Sequence, residues 1–336
     1  MQTFIENMPK AELHVHLEGT IEPELSFELA RRNGIDIPYR TAEEMIEAYD
    51  FYDLPSFLEI YYAGMRVLRT EDDFRELTWQ YLEKARSQNI VYVEMFFDPQ
   101  AHTSRGVAFD TVIRGIREAQ GKAYAELGIE SHLIMCFLRD MDAESAREHL
   151  ELARPYLDWI IGVGLDSDEQ DNPPVKFESV FREARALGLN LTMHCDVNQD
   201  NTHDHIAQCL DTIGVDRVDH GVNSLEKDEL WHTIRDRGLG LTVCPVCNRF
   251  VVQTLTDEAI RSMLAKGMKA TINSDDPSYF RAYLNENLMA LHNDAHFTRD
   301  EIATLVGNAF DIAWLPAQRK SQYQEQLRDY LESAAH

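Results

Sequence analysis

Two histidines near the start of the chain have a spacing that suits metal binding. His14 and His16 lie two apart in the β-rich run ELHVHL, so on a strand both side chains point to the same face. Such a pair alone is more typical of surface or core histidines than of ligands. His194 and Asp275, however, follow later apolar runs. Three histidines and one carboxylate predict a mononuclear site for a divalent, borderline-soft ion that lowers the pKa of a bound water.

Two further polar residues complete this candidate chemistry. His220 ends the apolar run RVDH and is followed by Gly221. It could be a buried histidine satisfied by backbone, but beside a metal-bound water we interpret it as a general base. Asp276 stands between Asp275 and Pro277. It could be a solvated loop carboxylate, and we favour a contact with substrate.

The candidate residues share one position, the C-terminal end of short β-rich runs. Eight such runs alternate with stretches whose apolar residues repeat every three or four positions. The runs are 12–17, 90–97, 132–138, 159–165, 189–194, 217–220, 239–244 and 269–273. This alternation predicts an α/β fold, a (β/α)8 TIM barrel, in which the strand ends meet at one rim.

One connection departs from the regular alternation. Residues 20–88, between the first and second runs, carry helix signals only, at 22–33, 42–48, 55–68 and 71–87. A helical insertion on the rim would form a lid or a pocket wall; the alternative is extra packing around the barrel. Because no linker, repeat or low-complexity tract interrupts the chain, we expect a single barrel domain over residues 1–336.

Charge excludes several classes of partner. Among 336 residues, 32 Lys and Arg stand against 58 Asp and Glu, a formal charge of −26. Such a field repels polyanions and anionic membrane surfaces, so we expect a small neutral or cationic ligand, no nucleic acid and no membrane. The sequence shows no apolar segment of membrane-spanning length and no secretory signal. We therefore predict a cytoplasmic protein that can form a homo-oligomer.

An ordered set of motifs along the chain carries a family resemblance. The motifs are MPKAELHVHLEGT, VEMFFDPQ, GLDSDE, a histidine at the end of the fifth run, RVDHG, LTVCPVCN and SDDP. With these motifs in this order from Met8 to beyond Pro277, the chain resembles the adenosine/adenine deaminase family of the metal-dependent amidohydrolase superfamily. Single motifs would be weak, whereas the ordered set covers the whole barrel.

The resemblance implies roles for individual residues. His14, His16, His194 and Asp275 would bind one Zn²⁺, with Asp275 and His220 also taking part in catalysis. Asp276 would face the purine N7, and the backbone near Ser167 would meet N3. The implied reaction is hydrolytic replacement of the amine at C6 of a 6-aminopurine, which gives the 6-oxopurine.

Glu18 narrows the substrate by the same resemblance. In adenosine deaminases the corresponding position is typically Asp, which reaches the ribose, whereas adenine-type members have Glu, as here. The longer carboxylate would intrude where the sugar sits, and GLDSDE also resembles the adenine-type motif. A free base is therefore favoured over a nucleoside, with adenosine deamination as an alternative.

The family's fifth-strand motif, H-A-G-E, is altered in this chain. The run is His194-Cys195-Asp196-Val197, and valine replaces the glutamate that transfers protons. In one reading Asp196 takes over, and the substrate is adenine or, slightly favoured, an N6-substituted adenine whose substituent lies in an apolar sub-pocket. The residues that could line it are Leu54, Phe57, Leu58 and Tyr61. In the other reading the chain hydrolyses a non-purine substrate or only binds purines.

Overall fold

A parallel eight-stranded sheet forms the centre of the computed structural model, which describes residues 1–195, 199–252 and 256–334. The strands pair in sequence order. They are β1 Lys10–His16, β2 Ile90–Phe97, β3 Glu130–Leu138, β4 Ile160–Asp166, β5 Asn190–Cys195, β6 Arg217–His220, β7 Gly240–Val243 and β8 Lys269–Ile272. The predicted (β/α)8 barrel is confirmed, and the bounds of the predicted strands agree within about two residues.

The last strand returns to the first, and the contact is made by candidate site residues. The His16 N–H donates to the Asp275 carbonyl at 2.9 Å, and the Asp275 N–H donates to the His14 carbonyl at 3.1 Å. Asp275 lies just beyond β8 with φ 64°, a left-handed conformation that is uncommon outside glycine. The barrel is therefore joined at the point where three of the predicted metal ligands lie.

Helices surround the barrel and cover its C-terminal rim. They are α1 Gln2–Asn7, α2 Pro23–Asn33, α3 Ala42–Glu47, α4 Leu54–Gly64, α5 Glu71–Ser87, α6 Pro99–Thr103, α7 Phe109–Leu127, α8 Ala143–Ala153, α9 Glu178–Ala186, α10 Thr202–Ala207, α11 Asp228–Asp236, α12 Pro245–Val251, α13 Asp257–Ala265, α14 Pro277–Phe280, α15 Leu284–Ala295, α16 Arg299–Ile312 and α17 Ala317–Ala334. None of the helices in the described ranges is long and apolar enough to cross a membrane.

The helices between β1 and β2 serve two purposes. α4 covers the rim, where Phe57 and Tyr61 pack in an aromatic cluster with Tyr279 and Phe280. α5 instead packs outside the barrel against α7. The approach is so close that a Cβ at Gly115 would lie 2.3 Å from the Glu71 carbonyl oxygen. The region 20–88 therefore divides into a rim wall and an ordinary outer barrel helix.

Candidate metal and purine site

Four predicted ligands converge at the C-terminal rim. His14 and His16 lie on β1, His194 on β5, and Asp275 just after β8, and one ligand atom from each lies within 4.8 Å of the others. The Nε2 atoms of His16 and His194 are 3.0 Å apart. Asp275 Oδ1 lies 3.0 Å from His14 Nε2 and 3.3 Å from His16 Nε2. The strand order therefore brings together residues up to 261 positions apart.

Buried surroundings set the charges of these four groups. Burial lowers the pKa of His14 to about 4 and that of His194 well below its usual value. Against the effect of burial, the charge of His14 and hydrogen bonds from His14 and His16 hold the pKa of Asp275 well below its ordinary value. Burial also opposes the charge on His16, but the carboxylates of Asp276, Asp275 and Asp166 raise its pKa well above the usual value.

This donor set fits a metal ion. Metal ligands must present neutral imidazole nitrogens and ionised carboxylates, the states that His14, His194 and Asp275 favour. Two imidazole Nε2 atoms that face each other at 3.0 Å can share only one proton between them, whereas a cation between them would be bound by both. Three histidines and one carboxylate are also ligands that zinc commonly takes.

Behind the ligands lie two residues that sequence reasoning did not assign, Asp219 and Thr242. His14 Nδ1 lies 2.9 Å from Thr242 Oγ1, and this hydroxyl donates at 2.9 Å to Asp219 Oδ1. Because the hydroxyl proton goes to Asp219, the hydroxyl accepts from His14 Nδ1–H, which leaves Nε2 free to bind a metal. Asp219 Oδ2 also lies 3.6 Å from His194 Nδ1. Carboxylates in this position orient ligating histidines.

His16 has a carboxylate of its own. Its Nδ1 lies 3.5 Å from Asp166 Oδ2, and Asp98 belongs to the same buried cluster. Burial raises the pKa of Asp98 well above its ordinary value and that of Asp166 to about 6. Both residues follow or end a predicted strand, at the same rim position as the assigned residues. Strand-end position was therefore the signal that could have identified them.

His220 lies beside the four ligands, as its place at the end of β6 predicted. Its Nε2 is 3.7 Å from Asp275 Oδ2, and its ring centroid is 4.7 Å from that of His14. Its backbone has φ 58°, a strained conformation of a kind concentrated at functional sites. Its Nδ1 is buried without a hydrogen-bond partner in the described part of the chain.

Asp276 lies next to the ligand cluster, against the loop that follows β1. Its Oδ1 is buried and without a hydrogen-bond partner among the described residues. Burial raises the pKa of Asp276 well above its ordinary value. A Cβ placed on Gly19 would lie 2.1 Å from this Oδ1. Only glycine at position 19 therefore leaves room for the Asp276 carboxyl where it is.

Ser167 and Glu18 have different surroundings. Ser167, with φ 72°, follows β4 and lines the cleft, and its Oγ accepts a hydrogen bond from the Tyr62 hydroxyl at 2.8 Å. The Glu18 side chain is buried outside the cleft lining, where Oε1 accepts from the Asp98 N–H at 3.1 Å and lies 2.7 Å from His102 Nε2. A substrate contact by Glu18 stays a prediction.

A cleft of about 610 Å³, including the space open to solvent, leads to the ligand cluster. Its inner end is polar and its outer walls are apolar. The inner residues are His16, His194, His220, Asp98, Asp166, Asp275 and Asp276. The outer walls come from α4 with Leu54, Phe57 and Leu58, and from the region of α12 with Cys247, Val251 and Val252.

Comparison with known proteins agrees with this geometry. The adenosine deaminase family model matches residues 9–330. An adenine deaminase of Psychrobacter cryohalolentis is 46% identical over 325 residues, which cover 96% of this chain and 97% of that protein. The chain belongs to the adenosine deaminase family. The predicted family and the predicted enzyme class, a hydrolase acting on C–N bonds, are confirmed.

Two solved structures resemble this family member over almost its whole length. The crystal structure of an adenine deaminase from Arthrobacter aurescens has a TM-score of 0.93 and 40% identity, and the match covers 97% of this chain and 99% of the other. An amidohydrolase from Burkholderia ambifaria, solved with bound zinc, has a TM-score of 0.89 and 26% identity, covering 99% and 94%.

Two residues of the fifth-strand motif lie where the structure does not describe the chain. Asp196 and Val197 lie outside the described residues, so the suggested proton transfer by Asp196 stays a prediction. His194 and Cys195, which precede them, are the last described residues of β5.

Proposed function

We propose that this protein catalyses zinc-dependent hydrolytic deamination at C6 of a purine base, either adenine or an N6-substituted adenine. The products would be hypoxanthine and ammonia or an amine. The observation that carries this proposal is the convergence of His14, His16, His194 and Asp275 beside His220, at the inner end of a cleft, in a member of the adenosine deaminase family.

Zinc is the metal that the donor set favours. His14, His16, His194 and Asp275 would hold it, and a bound zinc ion would lower the pKa of water so that hydrolysis proceeds near neutral pH. The zinc in the Burkholderia ambifaria relative supports this choice. Asp219 and Asp166 would keep the ligating imidazoles in orientation.

The remaining residues of the cleft would position the purine and move protons. His220 would accept a proton of the attacking water at Nε2, since this atom faces the ligand cluster. Asp276 would face the purine N7, and the backbone near Ser167 would meet N3. Asp196 would donate the proton to N1 that glutamate supplies elsewhere in the family, because valine at position 197 cannot.

The charge of the cleft favours a free base over a nucleotide. Among the described lining residues there is no lysine or arginine, while Asp98, Asp166 and Asp276 are all present. A phosphate would therefore meet carboxyl groups and no permanent cation. The adenine deaminase relatives support the same choice, and Glu18 is expected to contribute by disfavouring a sugar.

The apolar side chains that line the cleft would accept a substituent on N6. Leu54, Phe57 and Leu58 face the cleft together with Val251 and Val252, and apolar walls gain free energy when an alkyl group displaces water from them. Adenine alone carries no such group. We also propose that the chain is a single domain, cytoplasmic, and able to form a homo-oligomer.

Turnover on a panel of bases tests the proposal. The zinc-loaded protein is given adenine, adenosine and several N6-alkyl adenines, and ultraviolet absorbance is followed with identification of products. We expect hypoxanthine from N6-alkyl adenines at a higher kcat/KM than from adenine. Faster turnover of adenine than of bulky 6-substituted bases would refute the N6 preference, and no turnover of any base would refute the proposed function.

Asp196→Asn and Asp200→Asn form a matched pair for the proton transfer. Both make the same chemical change on the segment after β5, and Asp200 is exposed in a turn. Loss of a proton-transferring group typically lowers kcat by about 10²- to 10⁴-fold. We expect a loss of this size in Asp196→Asn and none in Asp200→Asn, and equal kcat in the two variants would remove Asp196 from the mechanism.

A further inference from the structure

The strand that carries the candidate ligand His194 is paired unevenly with its two neighbours. β5 pairs with β6 as far as Cys195, which lies opposite His220. Its pairing with β4 ends at Leu191, so within the described part of the chain residues 192–195 have no strand partner on the β4 side. His194 therefore lies on a part of β5 that the barrel supports from one side only.

The His194 carbonyl points toward the side that lacks a strand partner. In a strand, the carbonyls of successive residues point to opposite neighbours. The Cys195 carbonyl accepts from the Gly221 N–H at 3.1 Å, just beyond the end of β6. The His194 carbonyl must then point to the β4 side, where the ladder supplies no donor. Because His194 is buried, its carbonyl needs a donor from elsewhere.

Arg139 supplies that donor from β3, on the far side of β4. It follows β3 directly, and its side chain is completely buried. Its Nη1 donates to the His194 carbonyl at 2.8 Å, and its Nε donates to the Asn172 carbonyl at 3.0 Å. Its backbone N–H donates to the Asp166 carbonyl at 3.0 Å. One residue thus connects β3, the end of β4, the loop that follows β4, and β5.

The His194 imidazole depends on this backbone support. Its Nδ1 lies 3.6 Å from Asp219 Oδ2 and has no hydrogen-bond partner among the described residues. By contrast, His14 Nδ1 has Thr242 Oγ1 at 2.9 Å, and β1 is contacted on one side by β2 and on the other by Asp275. The direction of the His194 ring therefore follows largely from the position of its backbone.

The charge of Arg139 strengthens its contact with β5. Hydrogen bonds donated by a guanidinium are stronger than those between neutral groups. Glu169 provides a carboxylate, with its Oε2 3.7 Å from Arg139 Nη1, and Glu169 lines the cleft whereas Arg139 does not. Arg139 therefore lies behind the cleft wall, where it contacts the backbone of a ligand and not the substrate.

We propose that Arg139 is a positioning residue, which takes the place of a strand partner for the His194 carbonyl and so keeps the His194 imidazole directed at the metal. This inference rests on the proposed zinc-dependent function. Lysine at position 139 would keep the charge but not the planar fork that reaches the carbonyls of Asn172 and His194 together. The geometry of the donors, and not the charge alone, is therefore what the proposal requires.

Arg139→Lys and Arg261→Lys provide a matched test. Arg261, on the outer helix α13, also contacts a carboxylate and a backbone carbonyl, those of Glu301 at 3.0 Å and Ala295 at 2.9 Å. Competition with a chelator measures zinc affinity at a temperature where both metal-free variants are folded. We expect a loss of about 10- to 100-fold in Arg139→Lys, the usual effect of removing a group that supports a metal ligand, and no loss in Arg261→Lys.

Cobalt-substituted protein separates positioning from a purely structural role. Co²⁺ in place of zinc has visible absorption bands whose position and intensity depend on the geometry of its ligands. We expect these bands to differ from those of the wild type in Arg139→Lys and to be the same in Arg261→Lys. A lower Tm of metal-free Arg139→Lys, with zinc affinity and cobalt bands unchanged, would overturn the proposal.

Lys176→Met is a milder variant that serves if Arg139→Lys does not fold. Lys176 is exposed, and its Nζ donates to the Arg139 carbonyl at 2.8 Å and to Asn172 Oδ1 at 3.1 Å. Loss of this support should lower zinc affinity about 3- to 10-fold, the usual effect of one hydrogen bond, and an unchanged affinity would overturn the proposal.

These measurements need no substrate, so the two proposals fail separately. A wild type that binds zinc but converts no purine would refute the proposed deamination, while the zinc affinities and cobalt bands of the variants would still decide the role of Arg139. A wild type that binds no zinc would overturn both proposals.

Discussion

The two ends of the barrel contain buried charges in opposite conditions. At the N-terminal end, Arg217 on β6 contacts Glu94 at 2.5 Å, lies 4.2 Å from the centroid of the Trp314 ring, and donates to the Leu13 carbonyl. Of its guanidinium nitrogens, Nε alone lacks a hydrogen-bond partner among the described residues. At the C-terminal end, nitrogens of His16, His194 and His220 and oxygens of Asp166 and Asp276 have no hydrogen-bond partner among the described residues.

This difference indicates that the N-terminal end stabilises the fold and that the C-terminal end binds ligands. Strand β6, only four residues long, carries Arg217 at its start and His220 at its end. A buried charge that is already paired within the protein stabilises the folded state through that pair. Buried polar groups without a partner lower stability, and proteins typically keep them where a ligand binds. Substitutions at the two ends should therefore affect different measurements.

The largest effect is expected at the N-terminal end. Glu94→Gln would leave the buried Arg217 with only the more distant carboxylate of Asp219, 3.7 Å from its Nε, and should lower the free energy of unfolding by about 3–5 kcal/mol. Urea unfolding measures this loss, while kcat per folded molecule should be unchanged. The control is Glu118→Gln, the same change in an exposed ion pair with Arg75, which should cost about 0–1 kcal/mol. Equal losses in the two variants would contradict the comparison.

The next effect is expected at the C-terminal end. Asp219→Asn would remove the charge behind His14 and His194, and should weaken zinc binding or activity about 10- to 100-fold. Competition with a chelator measures the affinity. Asp216→Asn makes the same change before the start of β6, where Asp216 accepts from the Leu191 N–H. Zinc affinity that falls equally in both variants would show that the effect is structural.

The smallest effect, counted per pH unit, concerns Lys10, a buried lysine at the N-terminal end that forms no ion pair among the described residues. Lys10 donates to the carbonyls of Ile5 and Met8, and burial lowers its pKa to about 7, against 10.5 for an ordinary lysine. Between these values the unfolded chain binds more protons than the folded one, so stability rises with pH. Relative to Lys10→Met, the wild type should gain about 1.4 kcal/mol per pH unit from pH 7 to 10.

The Lys10→Met variant is its own control, because all titrating groups other than Lys10 are the same in the wild type and the variant. Unfolding in urea at several pH values gives the difference. A difference in the free energy of unfolding that stays constant across this pH range would mean that burial does not lower the pKa of Lys10.

Sequence patterns gave the barrel because each strand is a short apolar run between amphipathic helices. The bounds of β2 and β6 were predicted without error, and those of β7 were two residues too long, since Leu239 and Cys244 continue the apolar run outside the strand. The role of α5 as an outer barrel helix could not be read from periodicity, because an apolar stripe shows that a helix packs against a partner but not which partner.

Some residues of the candidate site could likewise be predicted from the sequence, and others could not. The histidines at positions 14, 16 and 194 stood out because imidazoles that meet at one rim with a carboxylate are typical metal ligands. Thr242 and Asp219 did not stand out, because their role depends on contacts between side chains of different strands and on the group to which the Thr242 hydroxyl donates its proton. The placement of Glu18 against His102 likewise depends on packing between the loop after β1 and α6, which sequence spacing does not encode.

The contact between His16 and Asp275 has a consequence for the order of folding. His16 lies on the first strand and Asp275 just after the last one, so the site cannot exist until the chain has been synthesised past Asp275 and β8 has docked. Contacts this distant in sequence form slowly. A metal ion bound there would link β1 to the residue that follows β8. Metal uptake during refolding would therefore show when the barrel closes.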